Sequence, residues 1–115
     1  FGSGSDQLGV AGQIQLTKLA ETLRTVSATI PPELNWVLRI DGHTDSRPIN
    51  TPRFPSNWEL SSARAIAVAK FLIGQGIPAR NLAPTGFADF HPLEPGESEL
   101  ALRRNRRIEL KLTQR

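Results

Sequence analysis

The apolar residues of this chain change their spacing on passing Pro31-Pro32, and the change dictates which elements it can build. Upstream, Leu16, Leu19, Leu23, Val26 and Ile30 fall at intervals of three and four. That spacing draws one face of an amphipathic helix, which the two prolines end. Downstream, Trp36, Leu38 and Ile40 alternate with Val37, Arg39 and Asp41. A period of two places alternate side chains on opposite faces of a strand, and Gly42 closes it. Phe1 to Gly12, rich in Gly and Ser, reads as a loop.

Beyond this strand lies a loop stiffened by Pro48, Pro52 and Pro55. Ser56-Asn57-Trp58-Glu59 then fits a capping box, with Ser56 as N-cap and Glu59 reaching back. A helix is expected from Trp58 to Ile73. Its part from Ala65 to Ile73 is apolar nearly all round, so it should be deeply packed, and Gly74 and Gly76 supply the stop. Phe54 and Trp58 are expected to anchor the core. Leu82 to Phe87 reads as a short strand, Phe90 to Gly96 as loop, and Ser98 to Arg104 as a short helix. Ile108, Leu110 and Leu112 alternate with Arg107, Glu109 and Lys111 to give a last strand with one polar face.

Helices alternating with strands make a sheet with helices packed on it. The expectation is an α+β two-layer sandwich. Two main helices cover one face of a mixed sheet, and a short extra helix precedes the last strand. With 115 residues, positions 1–115 are expected to form a single domain. No run of about 18 apolar residues offers a membrane span. Cysteine is absent, which removes disulfides, thiolate nucleophiles and Cys-ligated zinc. The start on Phe1, without methionine or signal peptide, gives the expectation of a piece of a longer protein.

Chemistry concentrates at the end of the first strand, in Gly42-His43-Thr44-Asp45. Ligands of α/β folds commonly bind where strands end. A bland reading has Asp45 capping a turn and His43 half-buried. A metal site would need more than His43, Asp45 and the only other imidazole, His91, which share no ligand spacing. A hydrolase would need a designated nucleophile beside His43 and Asp45, and no Gly-x-Ser-x-Gly elbow exists. The remaining reading is a cradle. Arg64, with small neighbours Ala63, Ala65 and Ala67, can offer a planar guanidinium to a carboxylate. Asp45 can accept from an ammonium. Together they suit a zwitterionic, amino-acid-like head group. The alternative for Arg64 is an ordinary ion pair, even with Asp45 itself.

The formal net charge is +3, and Arg103, Arg104, Arg106, Arg107, Lys111 and Arg115 crowd the C-terminal end. Such a cluster is the footprint of a binder of nucleic acid or another anionic polymer. Against that, no aromatics interleave it, and Glu94, Glu97 and Glu99 stand just upstream.

The stretches DGHTD (Asp41 to Asp45), ELSSARA (Glu59 to Ala65), LAPTGFADFHPL (Leu82 to Leu93) and RRNRRIEL (Arg103 to Leu110) resemble, in order, the signatures of the OmpA-like peptidoglycan-binding domain. FPSNWELSSARA after a long proline-bearing loop, and FGSGSDQL at the start, are most similar to the branch found in MotB-type flagellar stators. The resemblance covers essentially the whole chain. It implies a periplasmic, non-enzymatic domain without metal or cofactor, whose partner is the stem peptide of peptidoglycan and not nucleic acid. It implies that Asp45 and Arg64 hold meso-diaminopimelate, with Thr44 and His43 of the His-Thr-Asp motif and Leu60 of the Leu-Ser-x-x-Arg motif at the site. Asn105, Arg106 and Arg107 would line or brace the same pocket. It further implies a membrane-anchored parent — stator subunit, outer-membrane protein or lipoprotein — and admits a homodimer. The chain departs from the broader family in one place. After Asp45 many members carry a glycine and a Tyr-Asn pair, whereas here Ser46-Arg47-Pro48-Ile49 follows and Asn57-Trp58 stands before Glu59, so the loop wall of the pocket differs.

Overall fold

The structure, a computed structural model, describes residues 4–31 and 33–114. The first three residues of the N-terminal loop, Pro32 of the expected helix stop and Arg115 of the basic end lie outside the described residues. The order is α1 (Val10–Ser27), β1 (Trp36–His43), α2 (Asn57–Gly74), a 3-10 turn (Ala79–Asn81), β2 (Leu82–Gly86), α3 (Glu99–Asn105) and β3 (Arg107–Gln114). The fold is the expected α+β one, with a mixed sheet. β1 is central, parallel to β2 and antiparallel to β3. Among the described residues, no helix is long and apolar enough to cross a membrane.

The alternation of β1 sorts its side chains. Leu38 and Ile40 point into the core, where they meet Ala20 and Leu23 of α1 and Ala65, Val68 and Leu72 of α2. On the other face Asp41, although buried, is held by Arg39 in a two-pronged pair at 2.8 and 2.9 Å. The apolar run of α2 is packed as its composition demands.

Three local expectations are corrected. α1 begins at Val10 and ends at Ser27, so it takes in part of the expected loop and releases Ile30. Its first turns hold Gly12, at a cost of about 1 kcal/mol relative to alanine, and expose Val10 and Ile14. The capping box forms differently. Ser56 Oγ accepts from the Trp58 N–H at 3.2 Å, as an N-cap should, but its hydroxyl is paired with the Glu59 carboxylate. Phe54 is buried, whereas Trp58, in the outward-facing first turn of α2, is 51% exposed and anchors nothing in the core.

Two glycines set the spacing of α2 on the sheet. A Cβ at Gly42 would sit 2.2 Å from the Ser61 carbonyl oxygen, and one at Gly86 would sit 2.2 Å from Ser62 Oγ. The start of α2 therefore lies almost directly on the ends of β1 and β2. That contact brings the second turn of the helix beside the residues that follow β1.

Candidate functional site

Thr44 and Asp45 continue the chain just past β1. The Thr44 N–H donates to the Ala88 carbonyl at 2.9 Å, which ties this exit to the loop after β2. Asp45 then turns the chain, Oδ1 accepting from the Arg47 N–H at 3.0 Å in the manner of an Asx turn. Its other oxygen, Oδ2, accepts from Arg47 Nη2 and from Arg106 Nη1, both at 2.8 Å. Asp45 is 6% exposed. Burial pushes its carboxyl up, but the hydrogen bonds from Arg47 and Arg106 outweigh burial and hold it below the usual carboxylate value.

Arg64 arrives from the second turn of α2. It is 1% exposed, and its Nε donates to the Ser5 carbonyl at 2.8 Å. Burial pushes its guanidinium down to about 10. The Asp45 charge opposes that shift and Arg106 reinforces it. The group remains a cation at neutral pH.

Both side chains face one cavity of about 270 Å³, whose wall also includes Thr44, Arg47, Leu60 and Arg106. Deep burial has thus not sealed them in the core. One carboxylate and three guanidiniums border the space, beside the apolar surfaces of Leu60, Pro48 and Ile49. Such a wall can take a carboxylate on Arg64, an ammonium on Asp45 and an aliphatic stem between them. No group of three or more His, Cys, Asp or Glu that could hold a metal occurs among the described residues.

The other sequence candidates separate. Leu60 and Thr44 line the cavity, and Thr44 Oγ1 donates to the Asp45 carbonyl at 3.0 Å. His43, one residue earlier, lies outside it. It is buried against Phe87, the rings stacked 5.2 Å apart, with Nε2 3.8 Å from Glu109. Burial and the Arg107 charge push its pKa down. Asn105 clamps a loop. Its Oδ1 accepts from the Leu93 and Glu94 N–H groups at 2.8 and 2.9 Å, and its Nδ2 donates to the Glu94 carbonyl. Arg107 pairs with Glu109 at 2.6 Å and donates to the His91 carbonyl. Of the Asn-Arg-Arg run only Arg106 reaches the cavity. Arg104 pairs with Glu94 at 3.0 Å, so most of the basic run answers carboxylates of its own chain.

Sequence reasoning missed Arg47, which covers Asp45, and Ser5, which meets Arg64. The one signal for Arg47 was its position two residues after an aspartate in a turn, where a side-chain carboxylate accepts the backbone N–H.

The model of the OmpA family matches residues 1–107. The chain is 36% identical, over 86% of its own length, to the uncharacterized protein YtxE of Bacillus subtilis, and covers 41% of that protein. It spans at most 58% of the other curated relatives compared. Among solved structures, the C-terminal domain of Helicobacter pylori MotB superposes with a TM-score of 0.86 at 24% identity, over 98% of this chain and 81% of that one. The cell wall anchor of the T6SS from Pseudomonas aeruginosa superposes with a TM-score of 0.78 at 34% identity, over 99% and 73%.

Proposed function

The chain belongs to the OmpA family, and on that footing we propose that it binds peptidoglycan without cleaving it, by gripping the meso-diaminopimelate of the stem peptide. The observation that carries this reading is the convergence of Asp45 and Arg64 on one cavity. Diaminopimelate ends in an ammonium and a carboxylate on one carbon, joined by an aliphatic spacer to the rest of the peptide. The carboxylate goes to Arg64, as a planar bidentate donor. The ammonium goes to Asp45, and the spacer lies along Leu60 and Ile49. The likeness to a cell wall anchor at 34% identity supports the same role.

Arg47 must yield for the ammonium to reach Asp45. Its side chain is 45% exposed, whereas that of Arg106 is 14% exposed, so Arg47 is the partner that swings into water while Arg106 stays. Charge-assisted hydrogen bonds contribute roughly 1.5–3 kcal/mol each, and some of that offsets the displaced pair. One head group therefore binds weakly, and repeated attachment through a dimer or a tethered array supplies the hold. On this reading residues 1–115 are one periplasmic module of a longer membrane-anchored protein, working as a homodimer or in a tethered array and needing no cofactor.

Binding of nucleic acid through Arg103 to Arg107 has less behind it, because Arg104, Arg106 and Arg107 already meet Glu94, Asp45 and Glu109. Co-sedimentation with purified cell-wall sacculi tests the proposal. The native domain should pellet with the wall, and Asp45→Ala and Arg64→Ala should stay in solution. Pelleting of both variants at the native level refutes it. Muropeptides recovered unchanged after long incubation separate binding from hydrolysis.

A further inference from the structure

Trp58 and Phe90 are large aromatics left in solvent. Their rings lie 5.3 Å apart with a 33° tilt, and the residues are 51% and 64% exposed. Trp58 sits in the first turn of α2 and Phe90 just beyond a turn at Ala88. Ala88 adopts φ 55, in the left-handed region, which costs a residue with a Cβ on the order of 1–2 kcal/mol. Two hydrogen bonds hold it there. Its N–H donates to Ser61 Oγ at 3.0 Å, and its carbonyl accepts from the Thr44 N–H at 2.9 Å. The residues that fix the end of β1 and the start of α2 therefore also fix Asp89 and Phe90. Strain held in this way tends to cluster at ligand sites.

A groove of about 290 Å³ runs beside the two rings, with Ser46 and Asp89 among its polar groups. Its wall is continuous with that of the Asp45–Arg64 cavity, since Pro48, Ile49 and Asn57 belong to both.

We propose that this groove is a second subsite, which receives the peptide backbone that carries the diaminopimelate head group. The proposal rests on the function proposed above. A head group held at Asp45 and Arg64 sends its spacer along Ile49, and the peptide amides then emerge where the two spaces meet. Flat amide planes stack on Trp58 and Phe90, and Asn57, Ser46 and Asp89 answer their N–H and C=O groups. Rigid aromatics give contact area at little conformational cost. The sugars of the wall lie further along the ligand, beyond this groove.

The test is a set of NMR titrations with free meso-diaminopimelate, a stem tetrapeptide containing it, and the same tetrapeptide on its disaccharide. Native domain, Trp58→Ala and Phe90→Ala are compared, and both exposed rings can go without unfolding the domain, as spectra of distant residues will verify. The native domain should bind the tetrapeptide roughly threefold to tenfold tighter than free diaminopimelate, the scale of an aromatic contact. Each variant should lose that advantage, keep its affinity for free diaminopimelate, and gain nothing different from the disaccharide. A native domain with no preference for the tetrapeptide, variants that keep the preference, or a loss confined to the disaccharide form each overturn the subsite. Failure of the native domain to bind any of the three overturns the head-group reading itself.

Discussion

Arg106, at the junction of α3 and β3, donates to Asp45 across 61 residues of sequence, at 2.8 Å. This bond joins the last strand to the exit of the first and gives the carboxylate a partner that is itself nearly buried. Arg64 lies on the same cavity, so like charges face one another across Asp45. The aspartate is thus both a candidate ligand group and the counter-charge that lets two guanidiniums share a confined space.

Replacement of Asp45 by asparagine should therefore lower stability as well as wall binding. The largely covered guanidinium of Arg106 loses its ionic acceptor, and breaking a charged hydrogen bond of this kind costs about 1–3 kcal/mol. Chemical denaturation of Asp45→Asn against the native domain will measure it. No change in the midpoint would mean that Arg106 finds another acceptor.

Acid should weaken the fold in two windows, by the sign of each shift. His43 has a folded pKa below its ordinary 6.5. The unfolded chain takes up its proton first, so the stability it contributes is full above 6.5 and falls as pH drops through its folded value. Asp45 also has a lowered folded value, from an ordinary 3.8. Its contribution is full above that value and is lost as pH falls below it. Thermal melts at pH 7.5 and 5.5 should show a drop that shrinks in His43→Gln. An undiminished drop in that variant would assign the first window to another group.

Arg47→Ala should raise the affinity for free diaminopimelate severalfold, because the ammonium no longer competes with a guanidinium for Asp45. Since the Arg47 side chain is half-exposed and Arg106 still answers Asp45, stability should change little. A titration that instead shows weaker binding would place Arg47 among the groups that grip the ligand.

Arg64→Lys keeps the charge and loses the planar fork. Wall binding should fall by more than tenfold, and the Ser5 contact through Nε should go with it. Retention of native binding in co-sedimentation would mean that any cation suffices there.

Gly42→Ala should lose stability and binding together, by about 1–3 kcal/mol in stability, because its methyl meets the Ser61 carbonyl at 2.2 Å and must push α2 off the strand. If a crystal structure of the variant leaves the Asp45–Arg64 cavity unchanged, the helix has less influence on the site than its position suggests.

Much of this architecture was readable before any coordinates. The alternation in Trp36 to Asp41 and Ile108 to Leu112 marked two strands, and Ser56 marked the start of α2. The pairing of a strand-end carboxylate with a helix arginine came from chemistry alone, and both groups do border one cavity. What stayed hidden depended on local breaks in period. Arg106 occupies the cap between α3 and β3 with φ −78 and ψ 87, so neither a helical nor a strand count tells which of Asn105, Arg106 and Arg107 turns inward. His43 and Thr44 diverge because successive residues at a strand end face opposite ways. The exposure of Trp58 follows from its place in the first turn of α2, which a capping pattern locates in sequence but not in orientation.

The near contact of Gly42 with the Ser61 carbonyl leaves no compressible layer between strand and helix near where Asp45 and Arg64 originate. Their span behaves like a calliper locked at one opening. On the proposed function, a domain facing altered wall chemistry would adapt through Arg47, Pro48 and Ile49 of the loop that walls the cavity, since the opening between Asp45 and Arg64 cannot be reset by exchanging one packed side chain for another.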